Sequence, residues 1–262
     1  MEVKAIVLRA AGINCDVETE YALELTGAET QRLHVNRLIE DKTLLDKFYI
    51  LVFPGGFSYG DDVAAGKILA NQLIHHLSDS VQKFIEDGKL VLGICNGFQV
   101  LTKMGVLGGN DSATLTHQKD VTITYNDSGK FEDRWVYLAP QTEKCIFIKP
   151  DRQIYLPIAH GEGKVVTKDE QTLKQLIDDD RIAFKYVDEN GAEGDYPVNP
   201  NGSMASIAGL TDATGRVLGL MPHPERYIHA THHPHWPRLH EKKEPDGVTI
   251  FKNAVEYIQQ NF

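Results

Sequence analysis

The chain has 262 residues, 42% of them hydrophobic, and 37 acidic against 27 basic residues give it a formal net charge of −10. That length fits one large α/β domain or two small ones, and the hydrophobic content is too high for a disordered chain. The acidic balance argues against a nucleic-acid or anionic-membrane partner, which would need a basic face, and no apolar run reaches the ~20 residues of a membrane span.

In chain order, residues 3–8 form an apolar strand; the N-terminus therefore reads as a strand rather than a signal peptide. Asp16 is placed to cap a helix that Gly27 stops after Thr26. Residues 29–35 form a second strand, and Asn36 is placed to cap a helix running to Lys47. Residues 48–53 are apolar without alternation, the pattern of a parallel strand buried on both faces, and Pro54-Gly55-Gly56 ends it. Helical spacing covers residues 62–77 and 80–86, followed by a strand over 89–94 and a helix over 96–104. This β-α-β rhythm predicts an α/β fold, an open, mostly parallel doubly wound sheet with helices on both faces and sites beyond the carboxyl ends of its strands. Gly55-Gly56 and Cys95 both fall at such ends.

From Leu115 onward strands dominate, at 121–125, 135–138, 154–158 and 182–187, with one helix over 168–177. Residues 206–210 and 217–221 flank a turn-rich segment and read as a hairpin; residues 248–259 form an amphipathic closing helix. With no internal repeat and no linker, a single domain over 1–262 is expected. The later strands would extend the sheet or form a lobe beside it.

The chemistry centres on Cys95 in Val91-Leu92-Gly93-Ile94-Cys95-Asn96-Gly97. A nucleophile on a tight strand-to-helix turn needs small neighbours, the logic of the Gly-x-Ser-x-Gly elbow. The following helix points its N-terminus at the sulfur and favours the thiolate. Met221-Pro222-His223-Pro224-Glu225 supplies an imidazole and a carboxylate two residues apart, so that Cys95, His223 and Glu225 read as a triad for acyl transfer through a thioester. The backbone N–H groups of Asn96 and of Gly56 are natural oxyanion donors. Three cysteines without metal-ligand spacing suit a reduced, cytoplasmic protein. Cys15 and Cys145 lack both flanking pattern and nearby base and read as structural, although Cys15 follows the first strand on the same sheet edge. His229, His232, His233, His235 and His240 are interleaved with Pro234 and Pro237, which prevents a regular helix face. That segment reads as a rigid surface or interface loop rather than a metal site, and no metal is expected.

Gly93-Ile94-Cys95-Asn96-Gly97-Phe98-Gln99 and Pro222-His223-Pro224-Glu225-Arg226 resemble the triad motifs of class I glutamine amidotransferases. The run Phe53-Pro54-Gly55-Gly56-Phe57-Ser58-Tyr59-Gly60-Asp61 resembles a narrower family among them, the glutaminase subunits of phosphoribosylformylglycinamidine synthases. Further matches are Gly12-Ile13-Asn14-Cys15-Asp16, Gly129-Lys130-Phe131, His160-Gly161-Glu162-Gly163 and Asn199-Pro200-Asn201-Gly202-Ser203, so the similarity spans nearly the whole chain.

The resemblance implies Cys95 as nucleophile, His223 as base and acid, and Glu225 as the orienting carboxylate. It implies an oxyanion hole from the Gly55-Gly56 turn and Asn96, Gln99 on the glutamine head group, and His160 and Gly161 lining the same pocket. It further implies glutamine as substrate and ammonia passed to a synthetase partner, with a small accessory subunit. That partner would convert formylglycinamide ribonucleotide to formylglycinamidine ribonucleotide in purine biosynthesis. ATP and magnesium would belong to the partner and no cofactor to this chain, which has no Gly-rich loop followed by Lys-Ser/Thr. The chain departs from compact members in its length and in Asp61-Asp62-Val63-Ala64-Ala65-Gly66, which lacks their aromatic and basic residues. Three other readings stand beside this one: the glutaminase of a different amidotransferase, a cysteine peptidase of the same architecture, and a non-catalytic relative. The peptidases place histidine directly after the nucleophile, where this chain has Asn96, and a non-catalytic relative would usually have lost a triad member.

Overall fold

Apolar runs in the first hundred residues become four strands, β1 (Val3–Arg9), β2 (Ala28–His34), β3 (Ile50–Phe53) and β4 (Leu90–Ile94), in a computed structural model that describes residues 2–108, 120–239 and 244–262. Every residue of β3 and β4 is buried. Successive strand residues point to opposite faces, so both faces are covered there. The intervening helices are α1 (Asp16–Leu25), α2 (Val35–Glu40), α3 (Lys67–Glu86) and α4 (Asn96–Met104). Beyond them come β5 (Val121–Tyr125), β6 (Glu132–Pro140), β7 (Ile154–His160), β8 (Glu162–Thr167), α5 (Glu170–Asp178), β9 (Ile182–Val187), β10 (Ile207–Thr211), β11 (Val217–Leu220) and α6 (Asp246–Asn261). Helices α1 and α6 pack on each other and on β1, while α3 and α4 pack on each other and on β4.

Among the described residues nine strands form one sheet in the order β2-β1-β3-β4-β11-β10-β9-β6-β7. Pairing is parallel from β2 to β11 and antiparallel from β11 to β7. The later strands thus extend the sheet, and β5 and β8 pair separately as a two-stranded ribbon. The decisive feature for the site is β11. It is the second arm of the expected hairpin with β10, yet it also pairs in parallel with β4, with Leu220 opposite Ile94. The chain therefore leaves β4 at Cys95 and β11 at Met221 side by side.

Several local expectations are corrected. Asp16 is the first helical residue of α1 rather than its cap; its buried carboxylate pairs with Arg9 at 2.7 Å and Arg32 at 3.5 Å. The helix expected after Asn36 breaks at Asp41, whose carboxylate accepts from the Thr43 N–H and caps a separate turn, Lys42–Lys47. His34, not Asn36, caps α2, its Nδ1 accepting from the Asn36 N–H. Residues 62–66 form bends and a turn rather than the start of a helix, and Gly66, with positive φ, immediately precedes α3. No break separates residues 77 and 80: the buried stripe Leu69, Leu73, Leu77, Val81 and Phe84 runs through, and Asp79 points to solvent. Strand β8 was not expected. Leu115 and His240 lie outside the described residues.

Candidate active site

Cys95 links the end of β4 to the start of α4 with φ 50° and ψ −104°. A non-glycine residue there is strained, at a cost of about 1–3 kcal/mol, and such strain persists only where the surroundings enforce it. The flanking glycines are part of that enforcement. A Cβ on Gly97 would lie 1.8 Å from the Phe53 carbonyl oxygen on β3, and one on Gly93 would lie 2.9 Å from the Gly97 carbonyl. The Cys95 N–H donates to the Leu220 carbonyl at 2.8 Å, locking the turn to β11. Its Sγ lies 3.8 Å from the Ala159 carbonyl oxygen at the end of β7. Asn96 opens α4 directly after Cys95, so its N–H has no intrahelical acceptor and stands at the positive end of the helix dipole.

The segment after β11 delivers the base. The His223 N–H donates to the Pro157 carbonyl at 2.8 Å, which fixes the backbone against β7. Its Nδ1 is 2.6 Å from Glu225 Oε1, and both side chains are buried. A carboxylate only accepts, so Nδ1 carries the proton, and Nε2 has no hydrogen-bond partner among the described residues. Burial alone would depress the imidazole pKa. The Glu225 carboxylate, helped by the sulfurs of Cys95 and Cys15, instead holds it well above 6.5.

Cys15 is a correction to the sequence reading, since it stands at this site. Its Sγ, the His223 ring and the Glu225 carboxylate present atoms within 4.8 Å of one another, and Arg226 Nη2 donates to the sulfur at 3.1 Å. Burial raises the Cys15 thiol pKa despite His223 and Arg226. These three residues have metal-ligating types, but Nδ1 is engaged by Glu225 and the sulfur by Arg226. Gly55 sits against the same group: a Cβ would lie 2.8 Å from His223 Cε1 and 3.1 Å from Cys15 Sγ. Its role is to leave room for the imidazole. Cys145 lies in the core, where burial pushes its thiol to about 12.

A pocket of about 140 Å³ opens on Cys95 and includes Gly56, Gln99, His160 and Gly161 in its walls. Gly56 has φ 140°, and a Cβ there would lie 2.7 Å from the Asn14 nitrogen. Gln99 has both amide ends engaged, donating to the Glu162 carbonyl at 2.6 Å and accepting from Asn96 Nδ2 at 2.9 Å. Asn96 also accepts from the Ser58 N–H and reaches Asp61 Oδ1 at 3.3 Å. The two amides thus tie α4 to the turn after β3 and to β8. His160 Nδ1 is 3.1 Å from Asn126 Oδ1, which also accepts from the Gly163 N–H. His160 Nδ1 is therefore the donor, and burial lowers its pKa to about 3, leaving it neutral with a bare Nε2. Two carboxylates that sequence reasoning did not single out, Asp61 and Glu162, complete the wall.

The histidine-rich segment packs away from this pocket. His229 Nε2 meets the Tyr21 hydroxyl at 3.1 Å, and the His233 ring packs 5.7 Å from Trp135 and 5.5 Å from Tyr155.

The family model for the CobB/CobQ-like glutamine amidotransferase domain matches residues 2–258. The chain is 44% identical over 261 residues to the phosphoribosylformylglycinamidine synthase subunit PurQ of Dehalococcoides mccartyi, covering 99% of each chain. It is 40% identical over 269 residues to the subunit of that name from Methanococcus maripaludis, covering 98% of each. Among solved structures it resembles a chain of PurLQS from Thermotoga maritima, with a TM-score of 0.74 and 31% identity over 98% of this chain and 100% of that one.

Proposed function

The chain belongs to the CobB/CobQ-like glutamine amidotransferase family, and from that premise we infer that it is the glutaminase subunit of a phosphoribosylformylglycinamidine synthase. It hydrolyses glutamine and hands ammonia to a synthetase partner in purine biosynthesis, within an assembly of the PurLQS kind. ATP and magnesium belong to the partner. The purine-biosynthesis role places the enzyme's action in the cytoplasm in this reading. No helix among the described residues is long and apolar enough to cross a membrane. The observation that carries the reading is Cys95 on its strained turn, opening on a pocket, while the parallel pairing of β4 with β11 brings the His223–Glu225 pair alongside.

The geometry supports the following sequence. The Cys95 thiol gives its proton to His223 Nε2, and the thiolate adds to the carboxamide carbon of glutamine. Negative charge develops on the carbonyl oxygen, where the Asn96 N–H and the Gly56 peptide are the available donors. His223, held protonated by Glu225, gives its proton to the departing nitrogen, which leaves as ammonia and a γ-glutamyl thioester remains on Cys95. Water attacks the thioester, His223 takes its proton, glutamate departs and the thiol is restored. Glu225 keeps Nδ1–H in place throughout, so Nε2 is always the atom that trades protons.

The test is steady-state glutamine hydrolysis by the purified chain alone and with its synthetase subunit, beside synthesis supported by glutamine and by ammonium salts. The reading requires glutamine-dependent synthesis that Cys95→Ala removes and ammonia-dependent synthesis that it leaves intact. Loss of both, or of neither, would contradict it.

A further inference from the structure

We propose that Cys15 is a positioning residue for the catalytic base: its sulfur takes the hydrogen bond of the Arg226 guanidinium and thereby reserves the Glu225 carboxylate for His223. The inference rests on the glutaminase reading and gives a role to a buried thiol that the mechanism above does not use. Cys15 is not among the residues that wall the pocket on Cys95.

The Glu225 carboxylate is only half satisfied. Its Oε1 accepts from His223 Nδ1 at 2.6 Å, while Oε2 is buried with no hydrogen-bond partner among the described residues. An unpaired oxygen on a buried carboxylate invites a nearby cation, and the next residue in the chain is an arginine. Arg226 nevertheless turns the other way. Its Nη2 donates to Cys15 Sγ at 3.1 Å, and its Nε lies 3.8 Å from Glu18 Oε1 on α1. The pair with Glu18 is partly exposed on both sides and holds little by itself, so the sulfur is what keeps the guanidinium on the α1 side.

Cys15 suits that task. Its sulfur and the ligating atoms of His223 and Glu225 lie within 4.8 Å of one another, a gap that an arginine held on the sulfur covers by changing rotamer. Its S–H donates to Asn14 Oδ1 at 3.3 Å, which leaves the sulfur lone pairs to Arg226. Burial favours the protonated thiol, so the sulfur accepts from the guanidinium without bringing a second anion to the imidazole.

An Arg226 free to turn onto Glu225 Oε2 would neutralise the carboxylate and set a fixed cation beside the ring. Both effects disfavour the imidazolium that must give its proton to the departing nitrogen. The other groups around His223 leave that balance in place. Cys95 at the end of β4 is the sulfur it serves, and His160 at the end of β7 is neutral. Helix α6 packs on the same turn, but its Asp246 carboxylate is engaged by Arg152 and by the Tyr155 N–H.

The test is kcat/KM for glutamine against pH in the reconstituted complex. The variants are Cys15→Val, Cys15→Ser, Arg226→Gln and the double variant Cys15→Val/Arg226→Gln. Valine fills the space without an acceptor, and serine keeps one. Cys15→Val is expected to move the alkaline limb to lower pH by about one unit, a loss of about tenfold on that limb, carried by kcat rather than KM. Cys15→Ser and Arg226→Gln should keep the wild-type limb, and the double variant should regain it although both partners are gone. Should Cys15→Val not fold, Cys15→Ala gives the same comparison.

An unmoved limb in Cys15→Val would overturn the proposal, as would a displaced limb in Cys15→Ser or Arg226→Gln. A double variant displaced as far as Cys15→Val would also overturn it, because removing a second residue does not repair a purely structural loss. A wild-type complex that hydrolyses no glutamine would overturn the glutaminase reading itself, whereas an active complex with an unmoved limb in Cys15→Val overturns the proposal alone.

Discussion

Gly97→Ala tests the close packing that strains Cys95. The added Cβ would lie 1.8 Å from the Phe53 carbonyl oxygen and 2.6 Å from its carbon, and both are backbone atoms of β3 that no side-chain rotation can move aside. Reaching even a 3.0 Å contact means that α4 and β3 separate by about 1.2 Å, in a densely packed region that resists such shifts. Overpacking of this kind costs about 1–3 kcal/mol, and a clash with backbone belongs at the upper end. For a chain of this size each kcal/mol lowers Tm by about 2–4 °C, so the expected fall is about 6–12 °C. The movement falls on the turn that aims Cys95, and a displacement of about 1 Å at a reacting atom can cost about 10²-fold in rate. Melting by circular dichroism and glutamine turnover in the complex read the two effects. Gly194→Ala is the control, since a Cβ there meets Val198 only at 3.4 Å and should leave stability within about 0.5 kcal/mol. A Gly97→Ala protein with an unchanged Tm and full turnover would refute the account of the elbow.

The Glu225 carboxylate raises the His223 pKa, so Glu225→Gln lets burial dominate and moves the alkaline limb of the kcat/KM profile to lower pH; an unmoved limb would separate the two residues. The sign for stability is the same. The contribution of the protonated imidazole is present below about pH 6.5 and is lost as pH rises through the raised native value, and this dependence should flatten in Glu225→Gln. The double variant His223→Ala/Glu225→Gln should be little slower than His223→Ala alone, since members of a triad act as a unit; losses that multiplied in full would contradict that. Gly56→Ala forces a Cβ to 2.7 Å from the Asn14 nitrogen at φ 140° and should lower turnover about 10²- to 10³-fold, the cost of one oxyanion donor. If partner docking sets that donor, the variant will also blunt activation by the synthetase more than it raises KM.

What could be read in the sequence was local, and what escaped it depended on distant segments. Cys95 between Gly93 and Gly97 declared a tight turn because the same few residues both create and resolve the crowding. His223 and Glu225 were legible because a two-residue spacing already sets imidazole against carboxylate. Cys15 carried only the coarser sign of following the first strand on the same sheet edge; it reaches His223 because the loop after β1 folds back against Gly55, with Cys15 N–H donating to the Gly55 carbonyl at 3.3 Å. Gln99 sat one turn past the nucleophile as expected, but its amide is committed to Asn96 and Glu162, a bond set by β8, which the sequence did not reveal. In Glu162-Gly163-Lys164-Val165 the alternation of buried and half-buried residues is real, yet Gly163 obscures it. That glycine is required because a Cβ would lie 2.3 Å from the His160 ring. The break expected between residues 77 and 80 does not occur, because Ser78 and Asp79 lie off the buried stripe of a continuous helix.

The most direct test of the central claim is to quench the complex with acid during glutamine turnover and locate the covalent intermediate by mass spectrometry of the digested chain. The account predicts a glutamyl adduct on the Cys95 peptide, more abundant when hydrolysis of the thioester is slowed by Glu225→Gln. An adduct on Cys15, the other thiol beside His223, or sustained hydrolysis by Cys95→Ala at the wild-type rate, would contradict it.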